Sequence, residues 1–318
     1  GRRSLEGVAM ARVLHFGQVI IDFTLLIDAL PEPGGDVFAS DSGVHAGGGY
    51  NVLYAAKQMG TDAVYAGAGG EGPMAQLALK ALDEIGIVFC GARVPSMDTG
   101  ICVAMTDSSG ERTFVSTRGA ETHVPHDFYE NLEVADNDVV YLSGYSFTHT
   151  DNRIALERFA RAHAGRSGFT LFDVGPMVGS IEQSSLDAVA NLNPLWSLNE
   201  RESAILCGRL AVSASDDLAE RCTDLAQALS ARVLLRAGEQ GAWLSDGAVY
   251  IPTPTVSVVD TNGAGDAHAG VLCAAMLEGM SLEEALKLAN CAGALSTQKF
   301  GPATCPSRAE LEEAYRAL

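Results

Sequence analysis

Basic residues are scarce in this 318-residue chain: 21 Lys and Arg stand against 40 Asp and Glu, a formal net charge of −19. A surface that negative repels phosphate backbones and anionic lipid, which argues against nucleic acid and membranes as partners. No stretch is long and apolar enough to cross a bilayer. The opening residues, GRRSLEGVAM, lack the apolar core of a signal peptide. Residues 1–9 are expected to be a cloning remnant ahead of a native start at Met10. None of the seven cysteines (Cys90, Cys102, Cys207, Cys222, Cys273, Cys291, Cys305) forms a CxxC pair, and no His lies at zinc-ligand spacing from them. Their odd count and wide spacing fit reduced, mostly buried thiols of a cytoplasmic protein. No Pro/Ser linker, low-complexity tract or internal repeat divides the chain.

What is present is the composition of a soluble globular protein, 47% hydrophobic and 19% charged, long enough to bury a substantial core. Near-continuous apolar runs at 13–22, 63–68, 138–145, 169–174, 195–199 and 232–238 read as strands. Amphipathic stretches at 51–60, 74–86, 153–165 and 217–230 read as helices, several of them stopped by Gly. This alternation predicts an α/β fold around a mostly parallel sheet. Residues 22–45 and 98–118 break the pattern and read as strand followed by strand, with turns at PEPGGD and DSSGER. Strands that do not alternate with helices are expected to form a small separate sheet, a lid over the active site.

Four motifs carry chemistry. The strongest is Asp260-Thr261-Asn262-Gly263-Ala264-Gly265-Asp266, between a β-like run at 256–259 and a helical run at 267–280. Glycines at a strand-to-helix turn expose backbone N–H groups at a helix N-terminus, which stabilises anions. Asp266 would repel a phosphate bound there, but it can deprotonate an incoming alcohol. The plainer reading is a helix cap. The second motif, Ala46-Gly47-Gly48-Gly49-Tyr50-Asn51, lets a ligand approach the backbone closely. Asn51 offers it both a donor and an acceptor, although three glycines alone are often just a flexible turn. In the third, Asn199 and Glu202 share one face of a helical turn and can hold a hydrated Mg²⁺; a helix-start pair is the plainer reading. The fourth, Arg236-Ala237-Gly238-Glu239-Gln240-Gly241, is a strand-to-glycine turn that can pass under a nucleotide or be an ordinary turn.

These motifs, in this order and with the lid insertions, resemble the ribokinase-like (PfkB) family of sugar and nucleoside kinases over residues 11–318. DTNGAGD is similar to that family's C-terminal signature. AGGGYN, with Gly60 and Gly69 downstream, is similar to the N-terminal one. The resemblance implies a three-layer α/β/α ribokinase-like domain over 10–318, with lid strands from about 22–45 and 98–118. It also implies γ-phosphate transfer from ATP to a sugar hydroxyl. Asp266 would be the general base, and Gly263, Ala264 and Gly265 the anion hole. Asp22, Gly47, Gly48 and Asn51 would hold the sugar. Asn199, Arg236, Gly238, Gly241 and Asn290 would line the nucleotide, and Asn199 and Glu202 would meet Mg²⁺ through water. Asp260 and Asn262, with the segment 299–304, would border a K⁺ site.

Two departures bear on the substrate. Ser143 and Tyr145 stand where many sugar-kinase members carry an acidic residue, and Arg236 stands where a small hydroxyl residue is common. The segment 22–50 has no Lys or Arg and five acidic residues, with His45 its only potential cation. Arg112 is expected to face solvent. Arg118 is expected to point inward, where it can pair with a sugar-acid carboxylate. The ranking is therefore a neutral monosaccharide or nucleoside-like ribosyl compound first, a ketodeoxygluconate-type sugar acid second, and a sugar phosphate last.

Two other classes compete. Gly67-Ala68-Gly69-Gly70-Glu71-Gly72 fits the dinucleotide fingerprint GxGxxG, but the next strand-like run lacks the acidic end that a nicotinamide-dependent dehydrogenase would need. An inactive sugar-binding regulatory protein would not need Asp266 and its glycines intact. His268 is expected to pack against the site, and His123 and His126 to lie on a solvated helix start. Apolar lid residues such as Val37, Phe38, Ile101, Val103 and Met105 cannot all be buried by a thin sheet, so a homodimer through the lid is expected.

Overall fold

The computed structural model describes residues 10–318; the expected remnant at 1–9 lies outside the described residues. Among the described residues, thirteen strands form two sheets. They are β1 (Val13–Phe16), β2 (Val19–Leu26), β3 (Asp41–Gly48), β4 (Ala63–Tyr65), β5 (Val88–Phe89), β6 (Ile101–Thr106), β7 (Arg112–Ser116), β8 (Val139–Ser143), β9 (Thr170–Asp173), β10 (Leu195–Asn199), β11 (Arg232–Arg236), β12 (Ala242–Leu244) and β13 (Val249–Ile251). The helices are α1 (Gly49–Gln58), α2 (Pro73–Glu84), α3 (Thr150–Ala162), α4 (Gln183–Ala190), α5 (Glu200–Leu210), α6 (Leu218–Leu229), α7 (Ala264–Leu277), α8 (Leu282–Ser296) and α9 (Arg308–Arg316).

The large sheet has the order β13-β12-β11-β10-β9-β8-β1-β4-β5, parallel from β11 to β5 and antiparallel at β12 and β13. Its middle strands are apolar throughout because both faces are covered. One core packs α1, α2, α7, α8 and α9 on one face, and a second packs α3 to α6 on the other. The result is the expected three-layer α/β/α arrangement. Helix α7 is nearly all apolar, with Ala267 through Ala275 buried, because it lies between the sheet and α1 and α8.

The small sheet, order β3-β2-β6-β7, is the lid, made by the two strand pairs that the sequence sets apart. Two local expectations fail. The run 13–22 is not one strand. It breaks at Gly17 and Gln18, where β1 stays in the large sheet and β2 enters the lid. The valines at 256–259 form no strand; Val258 and Val259 are exposed on the way to the glycine loop.

The order of the large sheet reverses between β8 and β1, and in such sheets ligands bind beyond the carboxyl ends of the strands at that point. The glycine motifs converge there. All seven cysteines are free thiols, six of them buried. Among the described residues, no helix is long and apolar enough to cross a membrane.

Candidate active site

Helix α7 opens at Gly263, whose φ of 79° is left-handed and whose missing Cβ would lie 2.0 Å from the Pro302 carbonyl. Only glycine fits that position. The first-turn N–H groups of α7 have no intrahelical acceptors and face the cleft with the positive end of the helix dipole. Asp266 sits in this first turn. Burial raises its pKa to about 7, with the Asp173 charge adding to the rise and the Asn51 amide and Arg236 opposing it. It is therefore not merely a cap: α7 has no side-chain cap bond at its N-terminus.

Helix α1 brings Asn51 to the same place, and its Nδ2 donates to Asp266 Oδ2 at 3.2 Å. Asn51 Oδ1 is buried without a hydrogen-bond partner. An orphaned buried acceptor costs about 1–3 kcal/mol, so it marks a position where a ligand hydroxyl would donate. Asp22, on lid strand β2, completes the pocket. A Cβ on Gly47 would lie 2.0 Å from its Oδ2, so the carboxylate packs directly on the glycine backbone. Burial raises the Asp22 pKa to about 6, against the pull of His45 opposite it in β3. Gly48 has φ 61° and turns the chain from β3 into α1.

Asn199 and Glu202 form a capping box at the start of α5. Asn199 Oδ1 accepts from the Glu202 amide, and Glu202 Oε2 accepts from the Asn199 amide. The pair makes the helix start of the plainer reading. Among the described residues, no group of three or more His, Cys, Asp or Glu is placed to bind a metal ion directly. Gly238 and Gly241 make the expected turn after β11, with φ of 54° and 87°. His268 is packed, as expected: burial lowers its pKa to about 3, and it meets Asn290 Oδ1 at 3.2 Å.

Four expectations need correction. Asn290 is turned inward, its amide donating to the carbonyls of Ile251 and Pro252, because a buried amide must satisfy its polar atoms locally. Arg118, expected to be directed inward, is exposed beyond the end of lid strand β7. His123 and His126 stand in a turn rather than on a helix, both bonded to Asp151. Arg112 is only partly exposed and is paired rather than left to solvent. Its Nη2 meets Asp260 Oδ1 at 2.5 Å, and the Asp260 side chain is only 3% exposed. An exposed arginine gains about 0–1 kcal/mol from a surface pair, whereas removing the partner of a buried charge costs about 3–5 kcal/mol. Burial would raise the Asp260 pKa, but the amides of Asn262 and Gly301, together with Arg112, outweigh it and hold it below the usual carboxylate range. Both carboxylate oxygens of Asp260 are thus engaged within the protein.

Sequence reasoning did not single out Asp173, at the carboxyl end of β9, or Ser197. Asp173 Oδ2 accepts from Tyr141 Oη at 3.1 Å, and Oδ1 faces Arg236. The available signal was an acidic residue ending a parallel strand. Tyr145 is half-exposed on the same cleft. Burial raises its pKa, and the charges of Asp266, Glu202 and Asp173 add to the rise.

A profile of the pfkB family carbohydrate kinases matches residues 10–309. The uncharacterized sugar kinase YegV of Escherichia coli (strain K12) is 29% identical over 96% of this chain and 94% of that protein. An ATP-dependent ribose-1-phosphate kinase of Halopiger xanaduensis is also 29% identical, over 94% and 96%. Among solved structures, Arabidopsis thaliana ribokinase complexed with ribose and ATP superposes with a TM-score of 0.78 at 24% identity, covering 97% of this chain and 99% of that one.

Proposed function

We infer the acceptor from one established fact, that the chain belongs to the pfkB family of carbohydrate kinases. ATP is the phosphate donor of that family. We propose that the acceptor is a neutral monosaccharide or a nucleoside-like ribosyl compound. The observation that carries this reading is the pocket formed by Asp22, Gly47, Asn51 and Asp266. It offers two carboxylates and the unpartnered Asn51 Oδ1, all acceptors for sugar hydroxyls. Arg112 is paired with Asp260, and the segment 22–50 that carries Asp22 and Gly47 has no Lys or Arg to hold a distal phosphate or a sugar-acid carboxylate.

Asp266 would take the proton of the attacking hydroxyl, and a pKa near 7 suits a base working near neutrality. The oxygen would attack the γ-phosphorus while the backbone amides of Gly263, Ala264 and Gly265 stabilise charge on the transferring group. Mg²⁺ bound with the nucleotide would neutralise the polyphosphate, with Glu202 meeting its water shell. The exposed lid surface, including Phe38 at 95% and Phe114 and Val115 near 60%, would be covered by a second copy in a homodimer.

A coupled ADP-release screen over free sugars, nucleosides, sugar acids and sugar phosphates tests the acceptor class. The highest kcat/KM is expected for a neutral compound. Highest activity on a sugar phosphate, including ribose 1-phosphate, would overturn the reading.

A further inference from the structure

We propose that Arg236 is a catalytic residue of the phosphoryl transfer: its free guanidinium nitrogen, lying against Gly265, binds the γ-phosphate oxygens and stabilises their charge during transfer. This rests on the kinase activity but not on the identity of the acceptor. It differs from the nucleotide-lining role that the sequence resemblance implies.

Arg236 is the last residue of β11, in register with Asn199, the last residue of β10. Its side chain therefore emerges at the carboxyl edge of the sheet. The guanidinium is held on two sides. Nε donates to Ser197 Oγ at 2.9 Å; Nη2 lies 3.4 Å from Asp173 Oδ1 and 3.9 Å from Glu202 Oε2. Nη1 has no acceptor among the described residues. It points at the phosphate cradle: a Cβ built on Gly265 would be 3.2 Å from it. Glycine there leaves the nitrogen unobstructed beside the first turn of α7.

A purely structural counter-ion would be expected to spend its outer nitrogens on Asp173 and Glu202, because a planar fork binds carboxylates two nitrogens at a time. Here one nitrogen is kept for the cleft. The charge balance points the same way. Burial raises the pKa of Asp173, Glu202 and Asp266, and Arg236 is the basic residue opposing that rise at all three. A polyphosphate entering beside these carboxylates needs a cation from the protein in addition to Mg²⁺. During transfer the acceptor O–P bond forms and the bond from the γ-phosphorus to the bridging oxygen breaks. The hydroxyl proton goes to Asp266, ADP leaves, and Nη1 follows the charge on the moving group.

The test is calorimetric titration of the full chain with Mg²⁺ and either AMP-PNP or ADP, for the wild type, Arg236→Ala and Arg236→Lys, alongside kcat measurements. For Arg236→Ala, affinity for AMP-PNP should fall roughly 10–100-fold with ADP nearly unchanged, and kcat should fall about 10³-fold, the lower range for arginines that stabilise this transition state. The acid limb of kcat/KM should move to higher pH, since Asp266 loses a positive neighbour. Arg236→Lys keeps a charge but not the fork, so the preference for AMP-PNP over ADP should shrink partway. Equal weakening of both nucleotides would assign Arg236 to the nucleotide body. A lower Tm with both affinities intact would assign it a structural role alone. Either result overturns the proposal. If Arg236→Ala does not fold, Arg236→Lys decides: an unchanged AMP-PNP-to-ADP ratio with near-normal kcat overturns it. Asp266→Asn in the same titration should keep the preference for AMP-PNP, which separates this proposal from the base assignment.

Discussion

Asn51 Nδ2 lies 3.2 Å from Asp266 Oδ2, and this contact joins two glycine motifs that are 215 residues apart in the chain. The amide holds the carboxylate toward the pocket and favours its ionised form. Asn51→Leu should therefore raise the apparent pKa on the acid side of kcat/KM. It should also raise KM for the acceptor about tenfold, the order expected for losing hydrogen bonds to buried groups. A pH profile with unchanged midpoint and unchanged KM would contradict both roles.

Asp266→Asn should cut kcat by roughly 10²–10⁴-fold while ATP still binds. The wild-type kcat/KM should fall as pH drops below about 7, because a protonated Asp266 cannot accept the proton. Stability gives a second readout. The folded-state pKa is raised, so the wild type loses stability as pH rises from the ordinary carboxylate range through about 7. The Asn variant escapes that loss. Its Tm should exceed that of the wild type at pH 8, with the gap closing on acidification. Thermal denaturation at several pH values checks this.

Gly47→Ala should abolish acceptor binding without unfolding the protein. Its methyl would fall 2.0 Å from Asp22 Oδ2 and force that carboxylate out of the pocket. A circular dichroism melt close to the wild type, with a large rise in acceptor KM, is the expected pair of results. Normal KM would show that Asp22 does not face the acceptor.

Arg112 brings a positive charge to Asp260, which the sequence resemblance placed at the border of a K⁺ site. Kinase rates in KCl and in tetramethylammonium chloride should therefore be similar for the wild type. Arg112→Ala removes the cationic partner of a buried carboxylate and should make the rate respond to K⁺. Strong K⁺ activation of the wild type would show that the ion displaces Arg112.

The exposed apolar side chains of the lid should be buried between two copies. Light scattering at micromolar concentration should report a dimer, and Phe114→Asp, on the edge strand β7, should shift it toward monomer. A monomeric wild type would remove the lid interface.

The sequence determined on its own what depends on local chemistry. Apolar runs alternating with amphipathic stretches specified the α/β layers, because strands covered on both faces must be apolar along their whole length. The two glycines flanking Ala264 before Asp266 specified a helix start open to anions, because only glycine fits the turn at Gly263. The paired strands at 22–45 and 98–118 marked the lid by having no helix between them. Tertiary structure alone decided which charges meet. Arg112 and Asp260 are 148 residues apart, and Arg236 and Asp173 are 63 apart. Neither pair has a spacing signal, since the contacts exist only once the lid lies against the glycine loop and β9 and β11 flank β10. Burial turned Asn290 inward, and the buried carboxylate of Asp260 drew Arg112 into a pair, because a desolvated polar group takes whatever partner the fold brings within reach.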